Sequence, residues 1–76
     1  MTDNKNSFIE TQIFIEYLLE YTRIVIARVK SSIIPKCGGI ITLNNKLYRI
    51  LNVKYDYELW QLTGNYHYSV NISQQI

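Results

Sequence analysis

Two side chains in this sequence are of the types that perform nucleophilic and general-base catalysis, Cys37 and His67. Such a pair needs the thiol and the imidazole within hydrogen-bond reach, and a third group that orients the ring. His67 has no carboxylate two residues away on its face of a predicted strand, and Cys37 precedes two loop glycines. We therefore interpret His67 as a surface histidine and Cys37 as a small buried or inert loop residue.

Paired carboxylates and metal ligands are the other routes to catalysis. Asp56 and Glu58 would lie about 7 Å apart on one face of a predicted strand, a separation that glycosidases use. A chain of 76 residues leaves little room for a sugar cleft. One cysteine and one histidine cannot supply the three or four ligands of a zinc site. The sequence predicts no enzyme, no cofactor and no metal.

The segment Lys36-Cys37-Gly38-Gly39 could bind an anion instead. Successive backbone N–H groups beside glycines can form a concave anion site, to which Lys36 would add charge. The spacing does not match a P-loop. The alternative is that the two glycines only turn the chain.

Charge is distributed unevenly along the chain, although the net charge is only +2. Residues 1–20 carry a balance of −3, residues 21–54 a balance of +7 without any acid, and residues 55–76 a balance of −2. Such asymmetry favours an anionic partner. The alternative is that the acidic N-terminal segment packs beside the basic strands and neutralises them.

Aromatic residues are interleaved with these cations in the C-terminal half. Aromatics among basic residues can stack bases while cations hold phosphates, and they can equally anchor a protein partner or lie in the core. We expect Tyr57 and Trp60 to be exposed. The predicted ligand-binding residues are Arg23, Arg28, Lys36, Lys46, Arg49, Lys54, Tyr55, Tyr57 and Trp60.

The first half of the chain must position these residues on short strands. Residues 8–21 fit a helix by the capping pattern of Ser7 and Glu10, but the β-branched alternation favours a strand over 11–18. Residues 21–30 predict a strand that is apolar on both faces, with Ile24 and Ile26 facing one way. These two isoleucines are the predicted oligomer interface, and residues 31–39 are a predicted loop.

The sequence pattern of residues 40–72 predicts two hairpins. Strands over 40–43 and 46–55 flank Asn44-Asn45, a pair that tolerates the left-handed turn conformation. A bulge near Leu51-Asn52 would turn Tyr48, Ile50, Val53 and Tyr55 inward together. Strands over 58–62 and 66–72 flank a predicted loop, Thr63-Gly64-Asn65, and residues 66–72 show the clearest alternation.

Five to six short antiparallel strands predict an all-β fold, a small barrel or rolled sheet, or an α+β fold if residues 8–21 are helical. The run from Ile34 to Tyr55 is similar to the turn-strand-hairpin-strand pattern of SH3-like small barrels. We expect one domain over 1–76, with 1–7 and 73–76 flexible. No signal peptide or membrane span is apparent, so a cytoplasmic location is expected.

Together these features predict a non-enzymatic binding module for an anionic ligand, a nucleotide or a nucleic acid. The alternative is a protein–protein interaction module or an inhibitor that blocks a larger host protein, and a homo-oligomer is expected in either case. The preference for Ile, Asn, Lys and Tyr, whose codons are AT-rich, suggests an AT-rich genome, such as that of a low-GC bacterium or its phage, so a phage- or mobile-element-borne module is one expectation.

Overall fold

The computed structural model describes residues 13–74 as five strands and one short helix. The predicted capping pattern of Ser7 and Glu10 lies outside these residues. Most of these residues lie in strands, and the strands form one curled sheet, a half-barrel. This confirms the predicted fold class. The elements are β1 (Ile13–Leu19), β2 (Val25–Ser31), β3 (Ile40–Leu43), β4 (Lys46–Tyr55), α1 (Tyr57–Thr63) and β5 (Tyr66–Ser73).

The strand order in the sheet is β2-β1-β5-β4-β3. Three of the neighbouring pairs are antiparallel, as predicted. The central pair, β1 with β5, is parallel, which differs from the prediction of antiparallel strands alone. A parallel pair needs a long crossover, and here β2, β3, β4 and α1 all intervene between its two strands.

Strand β1 settles the ambiguity of residues 8–21 over the part that the structure describes. Ile13, Ile15 and Tyr17 are buried, and the residues between them are half-buried. This alternation has the period of a strand, so the predicted strand is confirmed over 13–18.

The predicted strand over 21–30 begins later, at Val25, because the chain first makes a tight turn. Glu20 and Tyr21 have positive φ angles of 40° and 62°, and the Leu19 amide donates to the Ile24 carbonyl at 3.0 Å. The β1–β2 register then shifts, so that Tyr17 pairs with Ala27 and Leu18 with Val25.

This bulge changes the predicted faces of β2. Ile26 packs against the core together with Ala27 and Val29, instead of facing away from them. Ile24 lies outside the strand and remains 57% exposed.

The β3–β4 hairpin forms as predicted. Asn44 and Asn45 adopt φ angles of 53° and 65°, the left-handed conformation that a two-residue turn requires. Residues 32–39 form the predicted connection ahead of it.

The predicted bulge in β4 is also confirmed. Ile50 pairs with Ile72, whereas the next ladder pair is Asn52 with Asn71, so Leu51 is the extra residue. Tyr48 and Ile50 before the bulge therefore share a face with residues 53 and 55 after it. The same shift decides which side the charged residues of β4 occupy.

The predicted strand over 58–62 is wrong, because this segment is the helix α1. The Asp56 carboxylate accepts the Leu59 amide at 3.0 Å and caps the first turn. Gly64, with φ of 80°, ends the helix in the left-handed conformation, and its amide donates to the Trp60 carbonyl at 2.8 Å. The predicted hairpin loop at 63–65 is thus the end of a helix.

The core lies on the inner face of the curled sheet. It joins alternate residues of four strands, and β5 supplies its most buried side chains, Val70 and Ile72. β5 extends through Ser73, one residue beyond the predicted strand. The buried apolar residues are Ile13, Ile15, Tyr17, Leu43, Tyr48, Ile50, Val70 and Ile72.

Removing one methylene from Ile72 tests this core. We expect Ile72→Val to lower the free energy of unfolding by about 1 kcal/mol, because the void is only partly refilled. Ile33→Val makes the same chemical change at a side chain that is 73% exposed. Urea denaturation should leave Ile33→Val within about 0.5 kcal/mol of wild type. Equal losses in the two variants would contradict the assigned core.

Burial also makes stability depend on alkaline pH. It raises the pKa of the Tyr17 phenol above the ordinary value of 10.0. The unfolded chain therefore loses this proton first, and the stability that it contributes is present below pH 10 and lost as pH rises toward the folded pKa. Tyr17→Phe removes the ionisation.

The expected result is that Tyr17→Phe loses less stability than wild type between pH 8.5 and pH 11, by urea denaturation at each pH. Tyr55 leaves a residual dependence in the variant. Its pKa is also raised, mainly by reduced hydration and to a smaller extent by repulsion from Tyr66, Tyr68 and Tyr57. A variant whose stability falls as steeply as that of wild type would refute the role of Tyr17.

Candidate binding face

The side of the sheet opposite the core is polar, and we call it the outer face. Register alignment places on it the residues that alternate with the core positions of β1, β2, β4 and β5. They are Phe14, Glu16, Leu18, Val25, Arg28, Lys30, Arg49, Asn52, Lys54, His67, Ser69, Asn71 and Ser73.

Four cations meet on this face because of the bulge at Leu51. Without the bulge, Arg49 and Lys54 would have opposite parity and would point to opposite sides of β4. With it, Arg49 pairs with Ser73 and Lys54 with Ser69, both on the outer face. Arg28 and Lys30 reach the same face from β2.

One row of the outer face runs straight across four strands. Arg28 pairs with Glu16, Glu16 with Ser69, and Ser69 with Lys54. Since neighbouring strands lie about 4.8 Å apart, the Cα atoms of Arg28 and Lys54 lie about 14 Å apart along this row. An extended polyanion can contact cations that are spaced along such a row.

The carboxylates at this face already accept hydrogen bonds. Arg28 Nε donates to Glu16 Oε2 at 2.9 Å. The hydroxyl of Ser73 donates to Glu20 Oε2 at 3.0 Å, and Asp56 caps α1. The ion pair is largely exposed, so it contributes little to stability and leaves Arg28 accessible.

The next row combines aromatic rings with a cation. The rings of Phe14 and His67 stack with centroids 5.0 Å apart, and Lys30 Nζ lies 5.6 Å from the Phe14 centroid. Phe14 is thus in contact with a ring and with a cation, an arrangement that orients Lys30.

The imidazole of His67 contacts the end of α1. Thr63 Oγ1 donates its single proton to the Leu59 carbonyl at 2.8 Å and lies 3.2 Å from His67 Nε2. This places the ring beside α1 as a polar group of the outer face.

A groove of about 420 Å³ lies between α1 and strands β1, β2 and β5. Its volume is within the range of small-molecule sites. Its two cations, Arg28 and Lys30, are balanced by Glu16 and Asp56, so it has no net charge with His67 neutral. Its lining consists of Phe14, Ile15, Glu16, Arg28, Val29, Lys30, Asp56, Leu59, His67, Tyr68 and Ser69.

Three of the predicted cations lie away from the outer face. Arg23 is in the turn before β2, Lys36 is in the loop before β3, and Lys46 follows the hairpin turn at the start of β4. All three are exposed. The structure therefore separates them from Arg28, Arg49 and Lys54.

The predicted aromatic residues also divide between locations. Tyr55 is on the inner face, where its ring lies 5.3 Å from that of Tyr68 and 6.2 Å from that of Tyr66. Tyr57 and Trp60 stack on α1 at 5.4 Å. Tyr57 is exposed as predicted, but Trp60 is half-buried.

A second depression, of about 350 Å³, brings three predicted residues together, Lys54, Tyr55 and Tyr57. Asp56 and Glu58 also line it, so it carries more negative than positive charge. These two acids are on a helix cap and a first helical turn, and the prediction that placed them on one face of a strand is wrong.

Three contributors to the outer face were absent from the predicted binding set: Phe14, Lys30 and His67. Strand alternation alone could have found His67, because it shares a face with Ser69 and Asn71. Phe14 and Lys30 become neighbours of His67 only through the pairing of β2, β1 and β5.

At residues 36–39 the hydrogen bonds favour the alternative in which the glycines turn the chain, because both glycine amides donate within the protein. The Gly38 amide donates to the Ile50 carbonyl at 2.7 Å, and the Gly39 amide donates to the Lys36 carbonyl at 3.0 Å. The Cys37 thiol is exposed and donates to the Leu51 carbonyl at 3.1 Å. This segment therefore ties the loop to the β4 bulge.

The two candidate catalytic residues, Cys37 and His67, lie far apart in the structure. Cys37 lies beside Leu51, whose ladder neighbours pair with residues 71 and 72, whereas His67 is near the other end of β5. Four strand residues correspond to about 13 Å, beyond hydrogen-bond reach. Among residues 13–74, no group of three or more potential metal-ligating side chains comes together.

Helix α1 is much too short to cross a membrane, and no helix within residues 13–74 could do so. Comparisons with protein-family models, with curated proteins and with solved structures find no match for this chain.

Proposed function

We propose that this chain is a non-enzymatic binding module that holds the phosphate groups of a nucleic acid across its outer face. The observation that carries the proposal is the bulge at Leu51, which places Lys54 on the same face as Arg49, Arg28 and Lys30. Phosphate contacts by such cations supply most of the sequence-independent affinity for nucleic acids.

The spread of the cations favours a polymer over a mononucleotide. The groove beside Phe14 has balanced charge, so it lacks the excess positive potential that would attract a free nucleotide. By contrast, the four cations border a wide polar surface with Asn52, Ser69 and Asn71. Neutral polar groups of this kind bond to phosphate and sugar oxygens.

Neutralising two outer-face cations tests the proposal. We expect Arg49→Gln with Lys54→Gln to weaken binding of a fluorescein-labelled 15-nucleotide single-stranded DNA, measured by anisotropy. Losing two phosphate contacts should reduce the slope of log affinity against log salt by about 1.4.

The matched control is Lys36→Gln with Lys46→Gln, which removes the same charge from positions off the outer face. This variant should keep the wild-type salt slope. Equal losses in both double variants would show that only net charge matters and would refute the outer face as the site. An affinity that is independent of salt would refute phosphate binding altogether.

Exposed apolar side chains favour a second candidate function, a protein–protein interaction module or an inhibitor of a larger protein. Helix α1 has no buried residue although it carries Tyr57, Leu59, Trp60 and Leu62. Leu62 is 80% exposed and Tyr57 is 55% exposed. Exposed apolar surface of this kind is typical of sites that a partner covers.

The proposed homo-oligomer would use Ile24, and its two predicted interface residues can now be tested separately. Ile24→Glu should leave the free energy of unfolding within about 0.5 kcal/mol of wild type, because the side chain is exposed. If Ile24 forms a subunit contact, native mass spectrometry should show a shift from oligomer to monomer.

Ile26→Glu should instead destabilise the fold by about 2 kcal/mol or more, because it forces a charge against the core. An Ile24→Glu variant that assembles as the wild type does would remove Ile24 from the interface. An Ile26→Glu variant of wild-type stability would contradict the packing of the β2 bulge.

A further inference from the structure

Among residues 13–74, no strand pairs with the outer edge of β2 along part of its length. Within the described residues β2 is an edge strand, and β1 is the one strand that pairs with it. Near its start, the side chain of Asn44 donates to the Ile26 carbonyl at 3.5 Å, which connects this edge to the β3–β4 hairpin. The segment from Ala27 to Ser31 extends beyond that contact.

The two sides of this open segment differ in chemistry. Arg28 and Lys30 are exposed on the outer face. Ala27 and Val29 point inward, where they are half-buried and pack against the core cluster. A strand added beside this segment would therefore meet cations with one set of side chains and apolar groups with the other.

Charge decides what kind of strand fits. Antiparallel pairing of β2 with β2 of a second copy would place Arg28 and Lys30 opposite or beside their equivalents, and opposed like charges destabilise a sheet. Acidic side chains at those positions would instead form favourable cross-strand pairs. The edge thus disfavours self-pairing and favours a chain of opposite charge.

Both cations have donors left for such a partner. Arg28 bonds Glu16 through Nε, and its side chain is 71% exposed, so the terminal guanidinium hydrogens can reach a further carboxylate. Lys30 has three N–H donors, and its contact with the Phe14 ring uses none of them as a conventional hydrogen bond.

We infer that the β2 edge at residues 27–31 binds an extended segment of a partner protein in which acidic and apolar side chains alternate. The segment adds a strand to the sheet: its backbone pairs with β2, its acidic side chains contact Arg28 and Lys30, and its apolar side chains cover Ala27 and Val29. Backbone pairing supplies affinity in this mode, and alternate side chains supply specificity.

The test uses an N-acetylated, C-amidated heptapeptide of alternating valine and glutamate, with the valine–lysine peptide as its control. Amide chemical shifts and hydrogen exchange of the full chain report binding residue by residue. The glutamate peptide should shift residues 27–31 and slow exchange of the β2 amides that point away from β1, whereas the lysine peptide should do neither.

Two double variants locate the charge effect. Arg28→Gln with Lys30→Gln should weaken binding of the glutamate peptide about tenfold, as two lost cross-strand ion pairs imply. Arg49→Gln with Lys54→Gln removes the same charge from the outer face away from the edge and should keep the peptide affinity. Both variants retain every core residue, and their folding is checked by the same spectra.

Several outcomes would overturn the inference. Equal binding of the two peptides would show that charge does not select the segment. Shifts confined to α1 or β3, or no shifts at millimolar peptide, would exclude the β2 edge. A free protein in which these β2 amides are already protected in a dimer would show that a second copy occupies the edge. None of these results bears on DNA binding through Arg49 and Lys54, which is measured separately.

Discussion

The extra residue in β4 is the constraint on which the core, the adjacent loop and the outer face all depend. A strand has a period of two, so an uninterrupted β4 that buried Tyr48 and Ile50 would turn Lys54 inward and Val53 outward. Asn52 would then take the place of Val53 opposite the fully buried Val70, which would bury an unpaired amide and remove the packing of Val53 against the core. The bulge at Leu51 avoids both penalties. Its position is held by the preceding loop: the Ile50 amide donates to the Gly39 carbonyl at 2.8 Å, and the Cys37 thiol caps the Leu51 carbonyl.

A small core leaves many large apolar side chains exposed. A chain of this length can bury only about 60% of the surface that it exposes when unfolded. The consequence here is that eleven large apolar side chains of the described residues are exposed, while half-buried residues such as Val29, Val53 and Tyr68 only line the margin of the core. Any partner that covers such surface in the folded state alone stabilises that state by mass action. Binding of any such partner would therefore be coupled to the stability of this fold.

The pattern of neighbouring residues in the sequence was sufficient to predict much of the fold. Alternation located β1 and β5, Asn44-Asn45 located the hairpin, and the change of parity after Ile50 located the bulge. The error at 57–63 arose because leucine and aromatic residues in a five-residue window fit a strand as well as a helix. The stronger signals were the residues that border it, an N-capping Asp56 and a left-handed Gly64. The parallel pairing of β1 with β5 joins residues far apart in sequence, and no local pattern encodes it. For the same reason, the proximity of Phe14, Lys30 and His67 could not be predicted, whereas the basic character of the middle of the chain could.

The two proposed binding modes use one strand in different ways, and this has a physical consequence. A nucleic acid needs only the charges of the outer face, so it can contact Arg28 and Lys30 without access to the β2 backbone. An added strand needs the backbone as well, and its acidic side chains must neutralise the same two cations. A polyanion and an acidic segment therefore compete at Arg28 and Lys30. Arg49 and Lys54 are on β4, which β1 and β5 separate from β2, so these two cations are available only to the polyanion. Because salt screens exposed phosphate contacts more than it weakens backbone pairing, rising ionic strength should shift this competition toward the added strand.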